Sequence, residues 1–236
     1  MKEIAIIGAG GHGRVVLDII RSAGQYKPIG FIDNNSQLWG KYVDGIQVVG
    51  DFSKIEELAD SHNDFGAIVA IGDCRIRRSF AEMLSSANVE LINAIHPSAN
   101  IASTATLGKN IVIAAGVVVC AHCQIGNSVI LNTGCIVDHE SIIANSAHIC
   151  PGAKLAGRVI VESGAFVGIG ATIIQNLRIG TDAVVGAGAV VIKDVPPDVT
   201  VVGVPAKIVK PRRTENALKF PPDGDLVELE DLLVRT

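Results

Sequence analysis

From Ile95 onward an aliphatic side chain recurs at every sixth residue: Ile101, Leu107, Ile113, Val119, Ile125, Leu131 and so on to Val191. All 17 positions of this series are Ile, Leu or Val, types that make up only 72 of the 236 residues, so composition alone does not produce the run. The fourth residue after each is also restricted, being Ala, Ser, Cys or Val in 15 of 17 cases, with Ile111 and Leu177 the exceptions. Both phases are therefore expected to be buried. Six residues are too few for a helix and a connection, but they accommodate one short strand and a turn, with β-branched residues pointing inward. Glycine, Asn and Asp fall between the apolar positions, at Gly108, Asn110, Gly126, Asn127, Gly180 and Asp182, where bends need a permissive backbone. The pattern predicts a solenoid of coils that support one another.

The first ninety residues show no such period. An apolar run from Ile4 to Ile7 ends in Gly8, Gly10, Gly11 and Gly13, and Val15, Ile19 and Ile20 then follow at helical spacing. This predicts a strand, a glycine turn and a helix. A second strand ends at Phe31–Asp33 and a third, over 67–71, ends at Gly72, which places loops at strand carboxyl ends where open α/β sheets bind ligands. Gly8, Gly10 and Gly13 with Asp33 match the dinucleotide fingerprint. Only one mononucleotide-binding half fits before the six-residue series begins, so a single nucleoside diphosphate, such as that of a nucleotide sugar, is the expected ligand rather than NAD. The alternative, in which the glycines serve only tight helix packing, stays open at this point.

Hydrophobic residues form 48% of the chain and aromatic residues 4%, so the core must be aliphatic and closely packed. A formal charge of −4 gives no basic footprint for nucleic acid or an anionic membrane. The apolar run at the N-terminus is too short for a signal peptide or a membrane span, and a cytoplasmic, soluble protein is expected. The odd number of cysteines, five, argues against a disulfide framework. Cys120 and Cys123 have the spacing of half a zinc site without a second half, and only Cys123 lies in the inward phase, so no metal is expected.

The six-residue motif resembles that of the hexapeptide-repeat acyltransferases. Joined through Ile95, His96 and Pro97 to a glycine turn in a short α/β domain, it is similar to the bacillosamine-pathway sugar N-acetyltransferases and the related sialic-acid O-acetyltransferases. The resemblance covers about residues 3–210, ending at the Gly203–Ala206 terminator. It implies a half-Rossmann α/β domain (1–92) followed by a left-handed parallel β-helix (93–210) of eighteen residues, three hexads, per coil. On that basis the hexads make between five and six coils. A tail (211–236) carries Leu226, Leu229 and Leu233 at helical spacing, as for a short helix packing on a neighbouring chain. The resemblance further implies a homotrimer that uses acetyl-CoA, bound between neighbouring prisms, to acetylate the amine of a nucleotide-linked 4-amino-4,6-dideoxy sugar. The nearest rival is O-acetylation of sialic acid or a similar sugar. An NAD-binding regulatory or scaffold protein is a rival of another class.

Acetyl transfer from a thioester needs a base for the nucleophile's proton and a donor for the developing oxyanion. Of six histidines, His62 reads as a solvated loop residue and His96 as a linker residue. The segment Asn132 to Glu140 resembles the family's catalytic signature, which implies that His139 is the base, Glu140 the acid that raises its basicity, and Asn132 part of the site. Adjacent strand residues face opposite ways, so a contact between His139 and Glu140 requires the bend to fall there; otherwise Asp138 or another chain's carboxylate must orient the ring. With eighteen residues per coil, Gly157 stacks on His139 and is the candidate oxyanion donor. The family's acetyl-CoA contacts map onto His148, Ile169 and Ala187. Its nucleotide-sugar contacts map onto Gly10, Gly11, His12, Asp33, Asn34 and Gly72, with Cys74 standing where close relatives can carry Asn.

Overall fold

The computed structural model describes residues 1–211, so the predicted tail helix with Leu226, Leu229 and Leu233 lies outside the described residues. The α/β domain opens with β1 (Lys2–Ile7), whose last four residues are buried, and continues through α1 (Gly11–Ala23) to β2 (Tyr26–Ile32). A hairpin of β3 (Tyr42–Val43) and β4 (Ile46–Gly50), then α2 (Lys54–Ser61), β5 (Phe65–Val69), α3 (Cys74–Ser86) and β6 (Glu90–Leu91) complete it. The sheet order is β3-β4-β2-β1-β5-β6, parallel except for the hairpin pair. It is a single mononucleotide-binding half: β1 sits centrally and the chain crosses to β5 on its other side. The glycine turn and the β5 loop consequently open at the same sheet end.

The first strand of the coil follows at once, at Ala94–Ile95. Two-residue strands then recur every six residues to Val190–Val191 and stack in parallel register on the strand eighteen residues away, as Val112 does on Ile130 and Ile136 on Lys154. The result is a left-handed β-helix with three flat faces. The interior is the predicted pair of phases: Ile113, Val119, Val137 and Val167 from one, Val117, Cys123, Cys135 and Ala147 from the other, all 0–1% exposed. At every corner from Asn110 to Gly188 one residue adopts φ near +60°, His122, Glu140 and Arg158 included. Side chains at such positions cost roughly 1–2 kcal/mol each. The stack of coils imposes the bend regardless, because each corner's amide is held by the coil below, as Glu140 N is by Ala121 O at 2.9 Å.

The α/β domain lies on one face of the prism. Val112, Ala114 and Ile130, which point outward from that face, share a buried cluster with Ile4, Ile6, Val16, Ile20 and Phe31. Asn110 Oδ1 accepts the Val69 amide at 2.8 Å, so the end of β5 is tied directly to a coil. An antiparallel hairpin of Val199–Val202 and Lys207–Pro211 ends the described chain and contains the expected Gly203–Ala206 terminator. Two histidines differ from expectation. His96 is no linker residue but part of the first corner, where its Nδ1 accepts the Ser98 amide at 3.1 Å. His62 is half-buried, with Nδ1 2.7 Å from Leu58 O at the end of α2.

Candidate active site

At the carboxyl end of the sheet a cavity of about 400 Å³ is lined by Gly8, Gly10, Gly11, His12, Asp33, Asn34 and the Ala70–Gly72 loop. The glycines divide into two kinds. A Cβ on Gly13 would stand 2.0 Å from Gly8 O and one on Gly8 would stand 3.0 Å from Ala70 O, so these two serve close packing. Gly10, Gly11 and Gly72 have nothing within 4 Å and leave space free in front of the helix. Helix α1 starts at Gly11 without a side-chain cap, so its first amides face that space, an arrangement suited to phosphate. Asp33 lines the cavity and also braces its wall: one carboxylate oxygen accepts the Ala9 amide at 2.8 Å and the other the Asn35 amide at 2.9 Å. It shapes the turn beside the cavity and its carbonyl accepts the Trp39 indole N–H at 2.8 Å.

The second constellation stands on a corner of the prism. The bend does fall at His139 and Glu140, with Glu140 at φ 58°. His139 Nδ1 lies 3.1 Å from Glu140 Oε2, and Arg158, one coil on, donates to the same oxygen at 2.9 Å. The contact with His139, reinforced by Arg158, holds the Glu140 carboxyl below the usual carboxylate range. Asp138 is occupied otherwise, its Oδ1 accepting the His139 amide at 2.7 Å. With Nδ1–H donated to Glu140, Nε2 carries the lone pair, the form a general base requires. That nitrogen rests over Gly157, where a Cβ would come within 2.4 Å of it. The Gly157 amide has no hydrogen-bond partner among the described residues.

Asn132, expected beside His139, is elsewhere. Its Nδ2 is 3.4 Å from His148 Nε2, and its Oδ1 accepts the Thr133 amide. His148, mapped by the resemblance as an acetyl-CoA contact, is only 7% exposed and turns toward the α/β domain, with Nδ1 3.3 Å from Gly72 O and its ring edge-on to Phe166. The His12 ring is 6.3 Å away, with a buried Nε2 that has no partner among the described residues. Burial, with the Arg77 charge nearby, lowers the pKa of His12 to about 4 and that of His148 to about 3, so both rings are neutral near pH 7. Ile169 and Ala187, eighteen residues apart, are both exposed and stack on one another, joined by the bond from Gly188 N to Ile169 O at 2.8 Å.

Two residues that sequence reasoning passed over belong here. Arg158 follows from the same eighteen-residue step as Gly157, applied to Glu140. Arg77 had a signal of its own: it falls in the buried stripe of α3 with Cys74, Ala81 and Leu84, a phase in which a charge is anomalous.

Residues 3–84 match the PglD N-terminal domain family. The chain is 35% identical over 117 residues to UDP-N-acetylbacillosamine N-acetyltransferase of Bacillus subtilis, a match covering 49% of this chain and about half, 52%, of that curated relative. Solved structures cover more. A histidine-to-asparagine variant of perosamine N-acetyltransferase from Caulobacter crescentus, in complex with CoA and GDP-perosamine, superposes with a TM-score of 0.85 at 37% identity, over 89% of this chain and 98% of that one. The acetyltransferase domain of PglB from Neisseria gonorrhoeae, in complex with acetyl coenzyme A, gives 0.80 at 34% identity, over 88% and 99%. Fold and site thus define a β-helix acyltransferase bearing a nucleotide-binding domain. The chain belongs to the hexapeptide-repeat family of sugar N-acetyltransferases that carry a PglD-type N-terminal domain.

Proposed function

We propose that the protein is a homotrimer that transfers the acetyl group of acetyl-CoA to the amine of a nucleotide-linked 4-amino-4,6-dideoxyhexose. The observation that carries this reading is the pairing of a phosphate-suited cavity of about 400 Å³ with a histidine held by a carboxylate over an open glycine. The named relatives, which are N-acetyltransferases with CoA and an amino-sugar nucleotide or with acetyl coenzyme A, support the same substrates.

In the proposed reaction the sugar diphosphate lies against Gly10, Gly11 and the first amides of α1. The amine attacks the thioester carbonyl as His139 Nε2 accepts its proton. Glu140 steadies the imidazolium and the Gly157 N–H faces the oxyanion. The C–N bond forms, the C–S bond breaks, and His139 returns the proton to the departing thiolate. No acyl-enzyme forms.

The positions of the two half-sites support such an assembly. The α/β domain covers one face of the prism, whereas His139 lies on the corner between the other two faces, opposite it. One protomer cannot close this gap; a neighbouring copy in a closed ring can. The Ile169–Ala187 column, on a different corner, would supply the neighbour's wall of the acetyl-CoA groove.

Incubation with acetyl-CoA and a panel of UDP-, GDP- and dTDP-linked amino sugars, read by mass spectrometry, tests the reading. The expected product is 42 Da heavier on the sugar amine, about the mass of one acetyl group replacing a proton. Acetylation of a hydroxyl only would turn the assignment to O-acetylation, and binding of NAD without transfer would end it.

A further inference from the structure

Arg77 is fully buried, and its guanidinium donates five hydrogen bonds to carbonyl oxygens, with Cys74 beside it. Nη1 donates to Ile71 O at 2.8 Å and Gly72 O at 2.9 Å, in the loop that lines the nucleotide cavity. Nε donates to Ser128 O at 2.8 Å, and Nη2 to Ser146 O at 2.8 Å and Ala147 O at 3.3 Å. Ser128 and Ser146 are stacked corners of successive coils, and Ala147 immediately precedes His148. One planar group therefore grips the cavity loop with one edge and two coils with the other. Gly72 O is shared: it accepts from Arg77 and faces His148 Nδ1 at 3.3 Å.

Such an arrangement is a poor choice for stability alone, because the charge is costly to desolvate and, among the described residues, none of these hydrogen bonds reaches a carboxylate, Asp73 acting only through space. Its geometry does fix the spacing between the substrate loop and the strand bearing His148. We propose that Arg77 is a positioning residue for acetyl transfer, whose guanidinium sets the Gly72 loop and the His148 strand in register across the two domains. This rests on the acetyltransferase reading above. The charge has a second consequence. The groups facing His148 are Arg77, His12 and Gly72 O from the α/β domain, with Asn132 and Phe166 from the coils. Arg77 is the one cation among them near pH 7. It helps keep His148 uncharged, in the tautomer that donates to Gly72 O and accepts from Asn132.

Arg77→Lys and Arg77→Met separate geometry from charge. Each is to be studied as the full-length protein, well below its unfolding temperature, with acetyl-CoA and whichever amino-sugar nucleotide the wild type acetylates. Lysine keeps the charge but cannot span both edges. The folded Arg77→Lys protein should lose roughly tenfold or more in kcat through misplacement of the reacting groups, with the KM for acetyl-CoA little changed. The His148 ring, followed by NMR of histidine-labelled protein, should remain neutral to about pH 4 in the wild type and in Arg77→Lys. In Arg77→Met it should titrate at higher pH.

Wild-type kcat in folded Arg77→Lys would show a purely structural residue and overturn the proposal. An unshifted His148 in Arg77→Met would overturn the role of its charge. Should Arg77→Met not fold, the kinetics of Arg77→Lys decide. Failure of the wild type to transfer acetyl to any acceptor would instead refute the acetyltransferase reading, with the His148 titrations still reporting on Arg77.

Discussion

The two domains encode their chemistry in opposite ways. In the β-helix every coil repeats the last, so the backbone carries no unique feature and one corner differs from another by its side chain, as where His139 meets Gly157 on the next coil. In the α/β domain the cavity exists because side chains are missing at Gly10, Gly11 and Gly72 and because non-local contacts hold three loops together. An exposed solenoid corner away from the α/β domain tolerates replacement because its main contacts are with its neighbours on the column. A cavity floor does not, because each residue there supports several others.

That contrast orders the expected effects of mutation. On the β-helix, His139→Ala should lower kcat by roughly a hundredfold or more, the scale of a lost general base, without changing thermal stability or acetyl-CoA affinity. Steady-state kinetics and calorimetry check both halves. Ala187→Trp should abolish acetyl-CoA binding in a folded protein, since Ala187 is exposed and the inward phase is untouched. Nucleotide binding at the Gly10–His12 turn should survive; normal acetyl-CoA affinity would place the cofactor elsewhere.

In the α/β domain a methyl group already discriminates. Gly13→Ala puts a Cβ 2.0 Å from Gly8 O and should cost about 1–3 kcal/mol in denaturant unfolding, the range for overpacking. Gly11→Ala, with open space around it, should leave stability nearly unchanged while weakening nucleotide binding. Equal stability losses would remove the distinction between packing and ligand glycines.

A further expected effect is a dependence on pH. His12 and His148 fall from the ordinary 6.5 to about 4 and about 3 in the fold. The unfolded chain therefore binds their protons first as pH drops. Their neutral burial costs nothing above pH 7, and stability declines below 6.5. The slope for each ring is at most about 1.4 kcal/mol per pH unit, down to about pH 4, where His12 protonates in the fold. His148→Gln should flatten the slope, measured by urea unfolding between pH 7 and pH 5.

The same contrast governs what the sequence discloses. A strict period makes the coil and its two buried phases readable, and it yields the stacking of Gly157 on His139 by arithmetic. It did not orient Asn132 or His148, because a residue on an outward strand position meets whatever covers that face, here the α/β domain with Gly72 and His12. Asp33 matched a ligand pattern but spends its carboxylate on the Ala9 and Asn35 amides, a local turn geometry the fingerprint does not specify. Arg77 depends on carbonyls up to 70 residues away, and no local spacing reports those.

The central claim is that catalysis joins the cavity of one protomer to His139 of another. Co-expressed His139→Ala and Gly11→Trp chains test it directly, since each is inactive alone, the first lacking the base and the second having its cavity filled. In mixed trimers assembled at random, a cavity from the His139→Ala chain meets an intact His139 from its neighbour at roughly a quarter of the sites, so about a quarter of wild-type activity should return. Activity no greater than that of either parent, in trimers shown to be mixed, would mean that both half-sites belong to the same chain.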